Sequence, residues 1–351
     1  MIDFRYHLVS IVAVFLALAI GIVLGSTELQ GPTYNFLNKT TAKLQNELDQ
    51  VTSQRDTAQQ QAGENELYAQ AVEPAVLRDL LPGQRLLIVT EPGAQSSVIS
   101  GISTAAIDAG ATVTGQINLA PKFFDTSGTT QDSLNQTTLD VAQAANITLD
   151  TSATYQQQAA QVLASEILTT SAGSTSSGSP GASGSPSAGD QGASAGTMLQ
   201  AYAASQFLST TGQPATPATL AIVVTPQNVP SDGSADQLDQ VLIPLVQELA
   251  AKSSATVVVG SSSGSGAGSP IAVLRSDNVS NQVSTVDDAD LVSGQTVAIQ
   301  ALAVRLAGGK AGSYGFTANG ATAVAPSPAP TPTASPSATP TTSPTKKKAK
   351  K

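Results

Sequence analysis

Several things that proteins commonly use are scarce or missing in this chain: it has no cysteine, no tryptophan, a single histidine (His7) and two methionines (Met1 and Met198). Without cysteine there is no disulfide framework, no thiolate metal site and no Cys/His nucleophile pair. With one histidine, placed seven residues from the start, a Ser/His/Asp triad has no base to offer. Charge is sparse too, at 12% of residues, and acidic groups outnumber basic ones 25 to 16. Five of those 16 bases lie at or after Lys346, so the rest of the chain carries a formal charge near -14. An acidic body excludes the electrostatic footprint of a nucleic-acid binder. The terminal lysine cluster suits either a solubilising end or a contact with anionic polymer or lipid.

Present instead is a long apolar run. Residues 8–25, Leu8 to Gly25, follow a short start (residues 1–7) that holds Asp3, Arg5 and His7. About 20 residues at ~1.5 Å each are needed to cross ~30 Å of hydrocarbon, so this run is just long enough to span a bilayer. A cleaved secretory signal is the competing reading, with small residues at Gly25 and Ser26 as its cleavage point. Both readings imply export. Arg5 on the short side, with no Lys or Arg between Ser26 and Lys39, places the start in the cytoplasm and the bulk outside. The expected address is a single-pass cell-membrane protein, or the outer envelope if the segment is removed.

Residues 27–71 are polar, Gln-rich and almost free of glycine and proline after Pro32. Leu37, Leu44, Val51 and Ala58 recur every seven residues, and Tyr34, Thr41, Leu48 and Arg55 form the second series, which predicts a coiled-coil stalk and pairing between copies. Thr41 and Arg55 weaken that seam, and a solitary helix is the alternative.

From Leu80 the pattern changes to α/β. Arg85 to Thr90 is a short apolar strand bounded by Pro82-Gly83 and Pro92-Gly93; a helix with Val98, Ile102 and Ala106 on one face follows, ended by Gly110, and Thr112 to Leu119 alternates again. Such a βαβ unit predicts a mainly parallel, Rossmann-like sheet over residues 80–310. Ser133 and Gln136 read as a capping box opening a helix through Ala145, and Gln156 to Leu168 as another helix. Residues 171–196, rich in Ser, Gly and Ala, are expected to be a flexible insert. A helix from Met198 to Leu208, a strand from Leu220 to Thr225, a helix Ala235 to Lys252 behind Ser234 and Gln237 and carrying a kinking Pro244, and a strand Thr256 to Gly260 resume the alternation. A strand at Val283 to Val286 and a helix Thr296 to Leu306, ended by Gly308-Gly309, complete it. Residues 321–351 read as a disordered Pro/Thr/Ser tail.

Few residues point to chemistry. Asp287, Asp288 and Asp290 could hold a hard cation, with helix capping as the plainer explanation. His7 could join a metal site only as a ring in an oligomer, and otherwise sits at headgroup level. The Gly260 to Gly268 loop follows a strand but lacks the Lys-Ser/Thr pair of a phosphate-binding loop, and Pro270 introduces a short run, Ile271 to Leu274, with no clear helix. No cofactor and no enzymatic activity are expected.

The opening string MIDFRYHLVSIVAVFLALAIGIVLGS, the stalk, and the late string VSTVDDADLVSGQTVAIQALAVRLAGGKAGSYGF together resemble the actinobacterial copper-transport protein B (MctB) family. The resemblance implies copper efflux or copper resistance across a mycobacterial-type envelope, with channel-like activity. The residues themselves are poor in the sulfur and imidazole that copper prefers, and one membrane helix cannot enclose a pore, so a channel would need an oligomer. The architecture alone also suits a second reading: a non-enzymatic scaffold that positions an envelope protein, such as a peptidoglycan-remodelling or division factor.

Overall fold

The computed structural model describes residues 4–170, 188–227, 235–264, 268–316 and 320–326. The chain divides into two compact units, Met1–Leu67 and Tyr68–Lys351.

The first unit is one helix, the greater part of α1 (Phe4–Leu77). Its Arg5–Gly25 stretch has a mean hydropathy of 2.9, no buried residue, and the length of a membrane span. An isolated apolar surface of this kind is stable only in a medium as apolar as itself. Helix continues through Pro32 and into the polar segment, where the expected seam residues Leu37, Leu44, Leu48, Val51 and Ala58 are all exposed. The Tyr34 side chain lies outside the described ones.

The second unit is an α/β sandwich around one seven-stranded sheet. In chain order its strands are β1 (Arg85–Thr90), β2 (Thr112–Leu119), β3 (Leu208–Gly212), β4 (Leu220–Val224), β5 (Ala255–Val259), β6 (Ser284–Val286) and β7 (Ser313–Tyr314). They lie side by side as β3-β2-β1-β4-β5-β6-β7. All neighbours run parallel except the antiparallel pair β2 and β3. The helices after α1 are α2 (Ser96–Asp108), α3 (Pro121–Phe124), α4 (Gly128–Ala145), α5 (Tyr155–Ile167), α6 (Ala188–Ala204), α7 (Ala235–Lys252), α8 (Pro270–Ser276) and α9 (Val292–Leu306).

Both faces of the central strands are buried, which is why they read as continuous apolar runs. Successive side chains alternate between faces: Leu87 and Val89 of β1, with Ala221 and Val223 of β4, face α4 to α8, while Leu86, Ile88, Leu220 and Ile222 face α2 and α9. Leu77 and Leu81, at and just after the end of α1, join the second cluster. A buried hydrogen bond between Thr138 Oγ1 and Tyr202 Oη, 2.9 Å long, ties α4 to α6.

The sequence reading departs from this fold in several places. α4 opens at Gly128, not at Ser133: the Asp125 carboxylate accepts hydrogen bonds from Ser127 N–H, Ser127 Oγ and Thr130 Oγ1 and so organises the turn before it. α5 carries a true capping box, in which Thr154 accepts from Gln157 N–H and Gln157 accepts from Thr154 N–H. α6 begins at Ala188, inside the segment expected to be a flexible insert, and Ala195 within it is fully buried; residues 171–187 lie outside the described ones. The helix expected through Leu208 ends at Ala204, and Leu208 opens an antiparallel edge strand, Leu208–Gly212, to which the sequence reading gave no element, because Gln206 turns the chain with a positive φ of 62°. Pro270 starts α8 behind the cap Ser269, whose side chain accepts from Ala272 N–H, since proline suits the first helical turn. α9 begins at Val292, four residues early. Finally, the tail does not leave at 321: Thr322 N–H donates to Ser313 O and Gly315 N–H to Ala323 O, so residues 321–323 rest on the sheet edge. Ser234 and residues 327–351 lie outside the described ones.

Candidate functional site

Parallel strands deliver all their following loops to one end of a sheet, and ligands of such folds bind there. At that end, among the described residues, stand the polar groups Thr90, Glu91, Asn118, Thr225 and Ser261, together with the three aspartates singled out in the sequence.

The strand order reverses between β1 and β4. The loops following these two strands meet there: Gln227 N–H donates to Gly93 O at 3.2 Å, and a Cβ on Gly93 would lie 3.3 Å from Pro226 Cβ, so the β1 loop closes over the crevice. Gly93 holds a φ of 86°, which only glycine adopts without strain. Glu91 is 2% exposed beneath this loop. Beside it Thr90 Oγ1 donates to Asn118 Oδ1 at 2.8 Å, and Gln116 Nε2 donates to the same oxygen.

The aspartates gather after β6, with three different roles. Asp287 is fully buried and faces Arg275 of α8, whose Nη1 donates to Oδ2 at 2.8 Å; Phe316 N–H donates to Oδ1, also at 2.8 Å. Arg275 spends its other donors on Thr285 Oγ1 (3.0 Å) and Tyr314 O (2.7 Å), so the guanidinium pins β6 to β7. A buried charge held by a fork of this kind is satisfied rather than reactive. A Cβ on Gly315 would collide with the Asp287 carboxylate, and one on Gly294 with Asp288, which explains the two glycines flanking the cluster. Asp290 accepts from Ser262 N–H and Ser262 Oγ, both at 2.8 Å, and so fastens the loop after β5. Asp288 differs. It is 6% exposed and its Oδ1 has no hydrogen-bond partner among the described residues. Burial first, then the neighbouring Asp287 charge, pushes its carboxyl up to about 6.

Among the described residues no three of His, Cys, Asp or Glu converge on a point where a metal ion would sit. Two of the three aspartates are committed to holding loops. His7 lies on the exposed surface of α1 in the first unit, and Met198 is 2% exposed in the core of the second. Thus the domain presents hard carboxylate oxygens and no accessible described thioether or imidazole. Sequence reasoning found the aspartates but missed Arg275 and Ser262. The signal for Arg275 was present in Ser269-Pro270 followed by Ile271 and Leu274, a capped helix ending in a base.

Against known proteins, the family model described as "Copper transport outer membrane protein, MctB" matches residues 1–326, from the apolar start of α1 to the last described residue. The protein named "Copper transporter MctB" of Mycobacterium tuberculosis (strain ATCC 25618 / H37Rv) is 29% identical over 332 residues, covering 93% of this chain and 100% of the relative. Its counterpart in Mycobacterium bovis has the same figures. That of Mycobacterium leprae is 27% identical over 330 residues, covering 92% of this chain and 99% of its own length. A match that takes in the membrane-length helix, the polar segment and the whole sheet leaves no separate module unaccounted for before residue 326, and the chain belongs to the MctB family.

Proposed function

We propose that this chain is a membrane-anchored component of copper transport, with copper as its cargo. The observation that carries the reading is the family match from residue 1 to residue 326, beginning in a 21-residue apolar helix. That match favours transport over the scaffold reading. The helix Arg5–Gly25 is the anchor, with Arg5 on the cytoplasmic side and the α/β domain, Rossmann-like in its strand order, outside.

Copper handling cannot rest on one copy. A lone helix encloses no pore, so conduction requires several copies of α1. Its polar segment supplies the means, pairing as a coiled coil through Tyr34, Leu37, Leu44, Leu48, Val51 and Ala58. Assembly also brings the His7 imidazoles together at one membrane face. The protein acts on no covalent bond and is not an enzyme in this reading.

A strain lacking the gene should accumulate copper and grow poorly at copper levels the parent tolerates, with wall integrity unchanged. Full-length chain should restore tolerance, and a chain without residues 4–25 should not. Parental copper content in the deletion strain would refute the transport role, and purified chain that conducts nothing in a planar bilayer would refute the pore.

A further inference from the structure

The start of α5 holds a second feature, lined by none of the three aspartates. Thr126, Gln131, Tyr155, Gln156, Gln240 and Val241 line a cleft of about 530 Å³, within the roughly 300–1,000 Å³ typical of small-molecule sites. Gln156 is 5% exposed, and its Nε2 has no hydrogen-bond partner among the described residues. Two positions on, the same residue type is satisfied: Gln158 Nε2 donates to Asp150 O at 2.9 Å and Ala153 O at 3.2 Å. Leaving a buried amide donor unmade costs stability, and folded proteins rarely do so without a reason. The cleft also takes in the first turn of α5, whose capping box spends the Thr154 side chain on Gln157 N–H and leaves it none for the N–H groups of Tyr155 and Gln156.

The chemistry of the lining selects the ligand. None of the described lining side chains is charged, and three of them are glutamine amides, each able to donate and accept at once. Carboxylates adjoin the lining along the chain: Asp125 is next to Thr126, Asp132 next to Gln131 and Asp239 next to Gln240, while Asp125 and Asp150 are held below the usual carboxylate range by serine and threonine hydrogen bonds and so ionised. They disfavour an anion at the helix start. A neutral ligand with adjacent hydroxyls fits amide pairs, and Tyr155 offers an aromatic face at the rim. The geometry points to a carbohydrate-binding cleft, taking a neutral sugar ring either free or at the end of a glycan, with Gln156 Nε2 as its buried donor. This inference is independent of the copper role.

Saturation-transfer NMR on the full chain in lauryldimethylamine oxide micelles, whose headgroup carries no sugar, tests it. The probes are glucose, N-acetylglucosamine, maltotriose, chitotriose and inorganic phosphate. Transfer to at least one sugar is expected; preference for the trimer over its monomer assigns a glycan end, and equal affinity assigns the free sugar. Gln156→Met keeps the volume and removes the donor, and should weaken sugar binding about tenfold, the loss of one good hydrogen bond, with a melting temperature equal to or above the parent's. Should that variant not fold, Gln240→Ala at the exposed rim decides, by a several-fold loss in the folded protein. No transfer to any sugar, transfer unchanged in both variants, or phosphate displacing the sugar would overturn the assignment.

Discussion

Individual residues near β6 carry opposite electrostatic loads. Asp288 is pushed up to about 6 because burial and the Asp287 charge penalise its ionised form. A carboxyl raised in the folded state binds its proton more tightly there than in the unfolded chain, so its contribution to stability is whole below about pH 4 and is lost as pH rises through about 6. Asp288→Asn should therefore raise the melting temperature at pH 7.5 and leave it nearly unchanged at pH 4. Each pKa unit is worth ~1.4 kcal/mol, and partial screening by water trims the expected gain to about 1–2 kcal/mol. Arg275 presents the reverse case. Arg275→Met strands the fully buried Asp287 carboxylate and should cost about 3–5 kcal/mol in denaturant unfolding, much of it recovered by adding Asp287→Leu. If the single and double variants unfold alike, the ion pair is not what holds β6 to β7.

Secondary-structure elements show where a linear reading succeeds. β1 is legible because six apolar-rich residues sit between two Pro-Gly turns and stay buried on both faces. β3 is not, because Leu208 is its only buried residue and Ser209–Gly212 exposes the polar surface of a sheet edge. β7 is two residues long and is defined by its pairing with β6 and by the bridge from Tyr314 to Ala323. The site divides the same way: three aspartates within four positions announce a cluster, whereas Arg275, Ser262 and Gln156 acquire meaning only from partners or clefts far away in sequence. Close backbone approach is likewise invisible in one dimension. Gly115, with φ 155°, faces Gly212 across β2 and β3, and a Cβ on it would lie 2.7 Å from Pro214 N. Gly115→Val should destabilise by about 2 kcal/mol or more in thermal unfolding, while Gly128→Ala, with open space at its Cβ, should be neutral. For α1 the expectation concerns assembly. Leu44→Asp and Leu48→Asp together should shift the detergent-solubilised chain to a smaller species in analytical ultracentrifugation, and an unchanged sedimentation coefficient would show that the exposed leucines are not a seam.

For the whole molecule, the fate of Arg5–Gly25 decides the address. Retained, it fixes the chain in the inner membrane. Removed, it frees the domain for the outer envelope named in the family's description. Membrane fractionation with N-terminal sequencing of the native protein should find Met1 or Ile2 at the start and the chain in the inner-membrane fraction; a start near Ser26 would replace the anchor with an export signal. The boundaries of the sheet have their own consequence. One flank is occupied by the chain's own residues 321–323 against β7, and the other, β3, is five residues long and edged with Ser209, Thr210 and Thr211. Neither flank offers a long greasy template on which a neighbouring copy could add strand after strand. Copies sharing one membrane, as the proposed assembly requires, would thus meet without their sheets zipping into fibrils.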